Sequence, residues 1–301
     1  MLKVTIKDIE FKSPIIAASG TFGYGNEIQG SIDIEKIGCI ITKSITLEER
    51  KGNPHPRIHQ SGTGMLNAIG LANVGVDKFC RNELPGLNEL DTHFMISIAG
   101  SSIDDYVEVL KQIESYNGSH IGYEINVSCP NVKEGGMEFG LSEKIVYQLT
   151  LQLRKITRKL LFIKLSPNVT NIEHIATKAE EAGADGISAI NTFVGLAIDY
   201  KTGKFLLSTV YGGISGPPIK PLALAKINKI YNKINIPILG MGGVASFSDI
   251  IEFIRVGASM VQVGTLNYRD PSIICKYYDD LYCYMVKNKI SSIARLKGDC
   301  Y

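Results

Sequence analysis

The chain has 301 residues, of which 45% are hydrophobic and 21% charged, a balance typical of a globular protein that buries a large core. Its formal net charge of +2 predicts no broad basic surface and argues against a nucleic-acid partner. The amino terminus lacks a signal-peptide pattern, and no apolar run reaches membrane-spanning length, so we expect a cytoplasmic protein. The 6 cysteines include no Cys-x-x-Cys pair, which predicts reduced thiols and no iron–sulfur cluster on this chain.

The predicted elements alternate between strands and helices along the whole chain. Two short apolar segments on either side of Lys7-Asp8 predict a hairpin, and eight apolar, β-rich segments follow. These eight segments are residues 14–18, 39–44, 94–99, 122–127, 160–165, 186–190, 237–240 and 260–264. Helical periodicity lies between most of them, as in residues 104–116, where Asp104 is the expected N-cap. Ser246 is a second expected N-cap, and Gly183 and Gly257 are expected to end helices.

Strands that are apolar throughout and separated by helices predict a parallel (β/α)₈ barrel, with the hairpin closing its floor. A doubly wound sheet fits less well because no Gly-x-Gly-x-x-Gly follows the first strand. We expect all residues, 1–301, to form one domain. Two connections, residues 46–73 and 193–221, are too long for simple barrel loops and are predicted to form binding walls at the catalytic face.

The fourth barrel strand leads directly into Cys129-Pro130, and a glycine-bearing loop follows. This pattern predicts a thiol at the carboxyl end of a buried strand, where it can reach a ligand held above the barrel. A free cysteine is more often a small buried hydrophobe. The polar neighbours Asn126, Ser128 and Asn131 favour the functional interpretation.

Glycine-rich turns end the seventh and eighth strands, at Gly240-Met-Gly-Gly-Val244 and Val263-Gly-Thr265. Exposed backbone amides at these two places are where barrels bind phosphate, although a tight turn also uses glycine. The coincidence of both turns favours a phosphate site. Gly216, after the sixth strand, is predicted to close the same cradle.

Two lysines, Lys43 and Lys164, end apolar strands. Burying an ammonium without a partner costs several kcal/mol, so each requires an anionic partner. One alternative is a carboxylate on a neighbouring strand, and the other is a shared anionic ligand at the catalytic face. Two lysines at one face favour the shared ligand, for which the anionic edge of a reduced flavin is suitable.

Asparagines gather at the same predicted face and suit the recognition of a polar heterocycle, since each amide offers two donors and an acceptor. They are Asn67, Asn126, Asn131 and Asn191, with Thr192 beside the last. An isolated asparagine is more often a cap or turn residue. His55 and His59 lie next to Pro54 and Pro56, which exclude a helix that would align them, so no metal site is predicted.

The segment Asn126-Val-Ser-Cys-Pro-Asn-Val-Lys-Glu-Gly-Gly136 resembles the active-site segment of class 1 dihydroorotate dehydrogenases, and its Lys133 to Gly136 ending resembles the class 1B branch. Further matches follow in the same order along nearly the whole chain. They are Thr42-Lys-Ser44, Asn67-Ala-Ile-Gly-Leu71, Ile163-Lys-Leu-Ser-Pro167, Asn191-Thr192, Gly212-Gly-Ile-Ser-Gly-Pro217, Gly240-Met-Gly-Gly-Val244 and Gly264-Thr265.

The resemblance implies oxidation of dihydroorotate to orotate, with Cys129 as the base that removes the C5 proton while the C6 hydride passes to FMN. It implies substrate binding by Lys43, Asn67, Ala68, Ile69, Gly70, Leu71, Asn126, Asn191 and Thr192. It implies FMN binding by Ser19, Lys43, Ser44, Ser97, Asn126, Lys164, Ile190, Gly216, Gly242, Gly243, Gly264 and Thr265. Ser97 stands where relatives often carry asparagine, which leaves the flavin contact at this position open.

Resemblance to class 1B further implies a homodimer core within a heterotetramer, in which a partner subunit carries FAD and [2Fe–2S] and passes electrons to NAD⁺. Three alternatives remain. One is a class 1A-like enzyme that uses fumarate directly, and another is a different pyrimidine-reducing flavoenzyme, such as a dihydrouridine synthase. The third is a flavin-binding subunit without catalytic activity.

Overall fold

The computed structural model describes residues 1–28, 30–128, 140 and 142–300, and eight parallel strands within them close into a barrel. The strands, in chain order, are β1 (Val4–Ile6), β2 (Ile9–Phe11), β3 (Ile15–Ala17), β4 (Cys39–Ile41), β5 (Ile58–Ser61), β6 (Gly64–Asn67), β7 (His93–Ile98), β8 (Gly122–Asn126), β9 (Leu160–Lys164), β10 (Gly186–Ala189), β11 (Phe193–Leu196), β12 (Tyr211–Ser215), β13 (Ile238–Met241) and β14 (Met260–Val263). The barrel runs β3-β4-β7-β8-β9-β10-β13-β14, and β14 pairs with β3 to close it. All eight predicted barrel strands are confirmed.

Helices follow most of the barrel strands and cover its outside. They are α1 (Val76–Lys78), α2 (Leu84–Leu87), α3 (Ile103–Glu114), α4 (Glu143–Arg154), α5 (Ile172–Glu181), α6 (Lys220–Tyr231), α7 (Phe247–Arg255) and α8 (Ile273–Lys287). A π turn, Phe79–Glu83, joins α1 to α2, and the described residues between β3 and β4 form two 3₁₀ turns, Asn26–Ile28 and Ile34–Lys36. In the described part of the chain, no helix is both long enough and apolar enough to cross a membrane.

The caps of these helices agree with the predictions in three places and differ in one. Ser246 caps α7 by accepting a hydrogen bond from the Asp249 amide. Gly183 and Gly257 follow α5 and α7 with positive φ, as helix-ending glycines do. The predicted cap Asp104 is wrong, because the cap of α3 is Ser102, whose side chain and that of Asp105 form a reciprocal capping box.

The hairpin β1–β2 closes the floor of the barrel, as predicted. Ile6 and Phe11, from its two strands, pack in one apolar cluster with inward-facing side chains near the amino-terminal ends of the barrel strands. Those side chains are Ile16, Cys39, Ile41, Met95, Leu160, Phe162, Leu239 and Met260. The lower part of the barrel interior is therefore a fully apolar core.

The two long connections contain strands as well as loops, whereas the sequence predicted only that they form walls at the catalytic face. They contribute four antiparallel strands to a second sheet, in the order β11-β12-β6-β5, above the carboxyl ends of the barrel strands. The register pairs Gly213 with Asn67, residues from the two different connections. The sheet carries several exposed large apolar side chains, among them Ile58, Val194, Leu196 and Tyr211. An exposed apolar group of this kind is typical of a contact surface.

Candidate active site

A layer of polar side chains lies above the apolar floor, inside the barrel. Lys164 Nζ on β9 donates to Glu124 Oε1 on β8 at 3.2 Å. Glu124 Oε2 accepts from Gln262 Nε2 on β14, across the barrel, at 2.7 Å. The same Gln262 nitrogen also lies 3.3 Å from Ser188 Oγ on β10. Side chains two residues apart on a strand face the same side, so Lys164 and Gln262 lie directly above the floor residues Phe162 and Met260.

Lys164 therefore has a protein carboxylate as its partner, which is the first of the two alternatives for it. The side chain of Glu124 is 0% exposed and that of Lys164 is 9% exposed, so this is a buried ion pair. Lys164 therefore does not need a ligand to balance its charge, because Glu124 supplies the negative charge. The ammonium has three donors, and only one of them has an acceptor among the described residues.

Lys43, two residues after β4, differs from Lys164 at the end of β9, although both lie at the carboxyl face of the barrel. Its ammonium makes no ion pair or hydrogen bond with the described residues, and its side chain is half-buried. Burial lowers the pKa of Lys43, and the neighbouring guanidinium of Arg57 acts in the same direction, while Glu27 opposes them more weakly. Lys43 is thus a cation without a partner in the part of the chain that the structure describes, as expected of an anion-binding residue.

A chain of hydroxyl and amide groups crosses four barrel strands at the carboxyl face. Ser97 Oγ lies 2.8 Å from Ser44 Oγ, to which Asn126 Nδ2 donates at 3.5 Å. Asn191 Nδ2 donates to Asn126 Oδ1 at 3.2 Å, and Asn191 Oδ1 accepts from the Thr192 amide at 2.8 Å. The structure thus brings together five residues predicted for the site, and it gives the Ser97 hydroxyl a partner within the protein.

The predicted segment from Asn67 to Leu71 lies at the end of β6, in the second sheet. Asn67 Nδ2 donates to the Gly213 carbonyl at 3.4 Å, and Asn53 Nδ2 donates to the Ala68 carbonyl at 3.0 Å. The Asn53 amide donates to the Ile69 carbonyl at 3.0 Å. Gly70 and Leu71 both have positive φ. The segment is therefore held in a fixed turn by neighbours that the sequence did not identify.

The glycine turns after β13 and β14 present unused backbone donors. The N–H groups of Gly242, Gly243 and Gly264 donate to no acceptor in residues that the structure describes. Gly242 and Gly243 have φ of +120° and +87°, a region that side chains with a Cβ rarely adopt. A Cβ on Gly264 would meet only the Ala18 methyl, at 3.7 Å, so there is open space beside it.

The predicted cradle is completed by Gly216, which precedes α6. Ser215 Oγ accepts from Thr265 Oγ1 at 2.9 Å, and a Cβ on Gly216 would lie 3.7 Å from Thr265 Cγ2. A Cβ on Gly243 would lie 2.7 Å from the backbone nitrogen of Lys220, the first residue of α6. The three turns therefore meet at one place, and their free N–H groups suit an anion such as a phosphate.

Two further predicted residues line the same face. Ser19, after β3, donates from Oγ to the Thr42 carbonyl at 2.8 Å. Ile190, after β10, is buried, and its amide donates to the Met241 carbonyl at 3.1 Å. A Cβ on Gly242 would lie 3.3 Å from Ile190 Cγ1, which places Ile190 against the turn after β13.

Cys129, Asn131 and the Lys133 to Gly136 ending lie outside the described residues. The chain is described as far as Ser128, whose amide donates to Asn126 Oδ1 at 3.3 Å, two residues after the end of β8. The described residues contain no group of three or more His, Cys, Asp or Glu side chains that could hold a metal ion.

Glu124, Gln262, Ser188 and Asn53 belong to the site but were not predicted. A signal for Glu124 and Gln262 was present, since each is a polar residue in an otherwise apolar strand. The arrangement as a whole combines a cradle of glycine turns, a buried lysine paired with a carboxylate, a lysine without a partner in the described part of the chain, and a row of amides. It can hold an anionic cofactor and a polar, negatively charged ring.

Comparisons with known proteins agree on one family. The family model for dihydroorotate dehydrogenase matches residues 1–285. The relative from Bacteroides thetaiotaomicron, named dihydroorotate dehydrogenase B (NAD(+)), catalytic subunit, is 43% identical over 99% of this chain and 98% of its own length. The protein of the same name from Malacoplasma penetrans is 44% identical over 100% of this chain and 98% of its own. A crystal structure of dihydroorotate dehydrogenase with ferulenol from Eimeria tenella has a TM-score of 0.79 at 23% identity, over 99% of this chain and 88% of that one, and shows the shared fold.

Proposed function

The chain belongs to the dihydroorotate dehydrogenase family, and we propose that it oxidises (S)-dihydroorotate to orotate in pyrimidine biosynthesis as the catalytic subunit of a class 1B, NAD⁺-linked enzyme. The observation that carries this proposal is sequence identity of 43% and 44%, over nearly the full length, to proteins with that name. The barrel mouth supports it, because its groups have the chemistry that a flavin and an anionic pyrimidine need. As part of the proposal, residues 1–301 form one FMN-binding domain in the cytoplasm.

The groups at the barrel mouth fit FMN. Its phosphate would be held by the N–H groups of Gly242, Gly243 and Gly264, which have no acceptor in the residues that the structure describes, and Gly216 and Thr265 would complete that cradle. The remaining donors of Lys164 would face the ring system, which the other predicted residues would surround. Those residues are Ser19, Lys43, Ser44, Ser97, Asn126 and Ile190. FMN, when bound, would supply the acceptor for the hydride that leaves C6 of the substrate.

The substrate would be held by the amide row and by the ammonium of Lys43, which has no partner among the described residues. Dihydroorotate has a carboxylate and a cyclic imide, so it needs a cation as well as donors and acceptors in fixed positions. Asn126 and Asn191 already fix each other's orientation through their hydrogen bond, which leaves the other amide atoms for the ring. The segment Asn67, Ala68, Ile69, Gly70 and Leu71, together with Thr192, would form the wall over the substrate.

Cys129 is proposed as the base. Its thiolate would take the C5 proton, and the electron pair of the C5–H bond would form the new C5–C6 double bond as the C6 hydride departs. Ser128, the residue before Cys129 in the chain, donates from its amide to Asn126 Oδ1 and so lies beside the amide row. An unperturbed thiol has a pKa of about 8.5, so turnover should rise as the pH increases towards that value.

The electrons would leave through a partner subunit that carries FAD and [2Fe–2S], in a heterotetramer built on a homodimer of this chain. The words "catalytic subunit" in the names of the relatives imply a second subunit. The exposed apolar side chains of the second sheet are consistent with a protein that is assembled with others.

The test is stopped-flow reduction of the bound flavin by dihydroorotate, followed by mixing with NAD⁺, fumarate or quinone in turn. We expect bleaching by dihydroorotate, slow reoxidation of the lone chain by NAD⁺, and fast reoxidation once the partner is added. Failure of dihydroorotate to bleach the flavin would exclude this substrate. Rapid turnover of the lone chain with fumarate would instead establish a class 1A-like enzyme, and purification from the native source with an iron-containing partner would support class 1B.

A further inference from the structure

Glu124 is a buried carboxylate at the centre of the barrel to which neither the family resemblance nor the proposed function gives a role. It is 0% exposed, and both of its oxygens are engaged, one by Lys164 and the other by Gln262. Its neighbours on adjacent strands, Ser97 and Phe162, carry no charge. Among the described residues, Lys164 is thus the cation that Glu124 balances.

The position of the pair makes its charge important. Below it lies the apolar floor, and above it lies the mouth, where the remaining donors of Lys164 would be available to a bound flavin. An electrostatic interaction is much stronger in such a desolvated setting than in water. The pair has a formal charge of zero, whereas Lys164 without Glu124 would have a charge of +1. These two states would therefore stabilise an anionic reduced flavin to very different extents.

Burying an ion pair inside the barrel also carries a desolvation cost that apolar side chains do not have. A buried ion pair commonly adds no stability over apolar side chains of similar volume, because desolvation offsets the attraction. The layer immediately below is filled by apolar side chains alone. A role in packing does not explain why a carboxylate and an ammonium occupy the layer that faces the mouth.

We propose that Glu124 is a positioning residue that fixes the Lys164 ammonium at the flavin edge and, by balancing its charge, lowers the reduction potential of bound FMN below the value that Lys164 alone would give. Gln262 fixes the second oxygen of the carboxylate and so keeps the first aimed at Lys164. This inference rests on the proposed function, since it requires FMN at the barrel mouth. Protein charge near the flavin N1 edge is a recognised means of setting the potential.

The experiment measures the two-electron potential of the bound flavin in the complete chain by dye-coupled titration. The variants are Glu124→Gln, Lys164→Gln and the double variant. Reduced FMN is anionic, so Glu124→Gln should make the potential more positive and Lys164→Gln more negative. Each shift should correspond to at least a tenfold change in the ratio of reduced to oxidised flavin, about 30 mV for a two-electron couple. The double variant should lie between the single variants.

Two controls separate charge from structure. Gln262→Met removes a hydrogen bond that orients Glu124 without changing any charge, so it should shift the potential less than Glu124→Gln does. Glu124→Asp keeps the charge but moves the carboxylate away, so it should retain the potential better than Glu124→Gln does.

Equal potentials for the unaltered protein and Glu124→Gln, both loaded with FMN, would overturn the inference. If Glu124→Gln does not fold, the comparison of Lys164→Gln with the double variant still decides it, because the double variant must have the more positive potential. If the unaltered protein does not bind FMN, the proposed function itself is refuted. That outcome differs from an unchanged potential, which refutes only the role of Glu124.

Discussion

The floor and the mouth of the barrel are built from the same eight strands but have opposite chemistry. At the floor, Ile6 and Phe11 of the hairpin close a layer of side chains that are all apolar. One layer higher, Glu124, Lys164 and Gln262 form a hydrogen-bonded polar group. Residues only two positions apart on one strand thus belong to different regions, because the strand period of two places them on the same inward face.

Because of this difference, we expect the floor residues to determine the stability of the fold and the mouth residues to determine its activity. Apolar burial at the floor stabilises the fold at roughly 25 cal/mol per Å² of buried surface. The polar groups at the mouth are costly to bury and leave donors unused, which suits binding and catalysis better than stability. Substitutions at the floor should therefore change the unfolding free energy, and substitutions at the mouth should change kinetics.

The largest kinetic effect is expected at the mouth, for Cys129→Ala. Loss of a general base should lower turnover by about 10²- to 10⁴-fold while FMN binding and the melting temperature stay the same. The measurement is flavin reduction by dihydroorotate in rapid mixing, with flavin content determined by absorbance. Cys129→Ser is the matched variant and should keep a little activity, shifted to higher pH, because serine is the weaker acid. Undiminished turnover of Cys129→Ala would refute the assignment of the base.

The largest stability effect is expected at the floor, for Phe11→Ala, because Phe11 is 1% exposed and plugs the barrel. Removing a buried phenyl ring should lower the unfolding free energy by about 3 to 5 kcal/mol, measured by chemical denaturation. Turnover per bound flavin should not change. Phe205→Ala is the control, since Phe205 is 51% exposed and should cost much less. A loss of turnover per flavin in Phe11→Ala would break the separation between the two regions.

A pH-dependent effect is expected for Lys43, at the mouth. Burial lowers its pKa, so the ammonium loses its proton at a lower pH than a free lysine does. The KM for dihydroorotate should therefore rise as the pH increases through that lowered pKa, and Lys43→Met should have a high KM without this dependence. Because the folded state holds this proton less tightly than the unfolded chain, Lys43→Met should not lower the melting temperature at neutral pH.

The control for this prediction is Lys12→Met, which removes the same charge from an exposed lysine beside Asp91, near the start of β3 at the opposite end of the barrel. It should leave both KM and its pH profile unchanged. A KM profile for Lys43→Met that matched that of the unaltered protein would show that the ammonium does not hold the substrate.

The smallest effect is expected outside both regions, at the cap of α3. Ser102→Ala removes the hydrogen bond to the Asp105 amide and should cost about 1 kcal/mol of stability, with no change in kinetics. Asp104→Ala is the matched variant, since Asp104 does not cap the helix, and should have a smaller effect. Equal destabilisation by the two substitutions would contradict the assignment of the cap.

Much of the fold could be predicted because the relevant signals are local. Each barrel strand is a short apolar run with polar residues or glycine at its ends. The parallel arrangement follows from the helices between these runs. The site residues at strand ends could be predicted for the same reason, since all carboxyl ends of a parallel barrel meet at one face. The cap at Ser102 was missed because Asp104 and Ser102 are both suitable residues within two positions, and only the backbone conformation distinguishes them.

The second sheet could not be predicted in this way. Its register joins Gly213 to Asn67, residues 146 positions apart, and β12 is rich in glycine, which gives no strand signal. The two connections meet only because the barrel brings the ends of β4 and β10 to one face.

The sequence by itself determined the eight strands, the hairpin, the glycine turns and the family, because these depend on short stretches of chain and their order. Only the tertiary structure decided the partners of the polar residues. Glu124 and Gln262 are 138 positions apart and meet across the barrel, and Lys164 has a carboxylate partner whereas Lys43 has none among the described residues. A side chain's partner depends on which strands lie next to or opposite each other, and closure of the barrel fixes that arrangement.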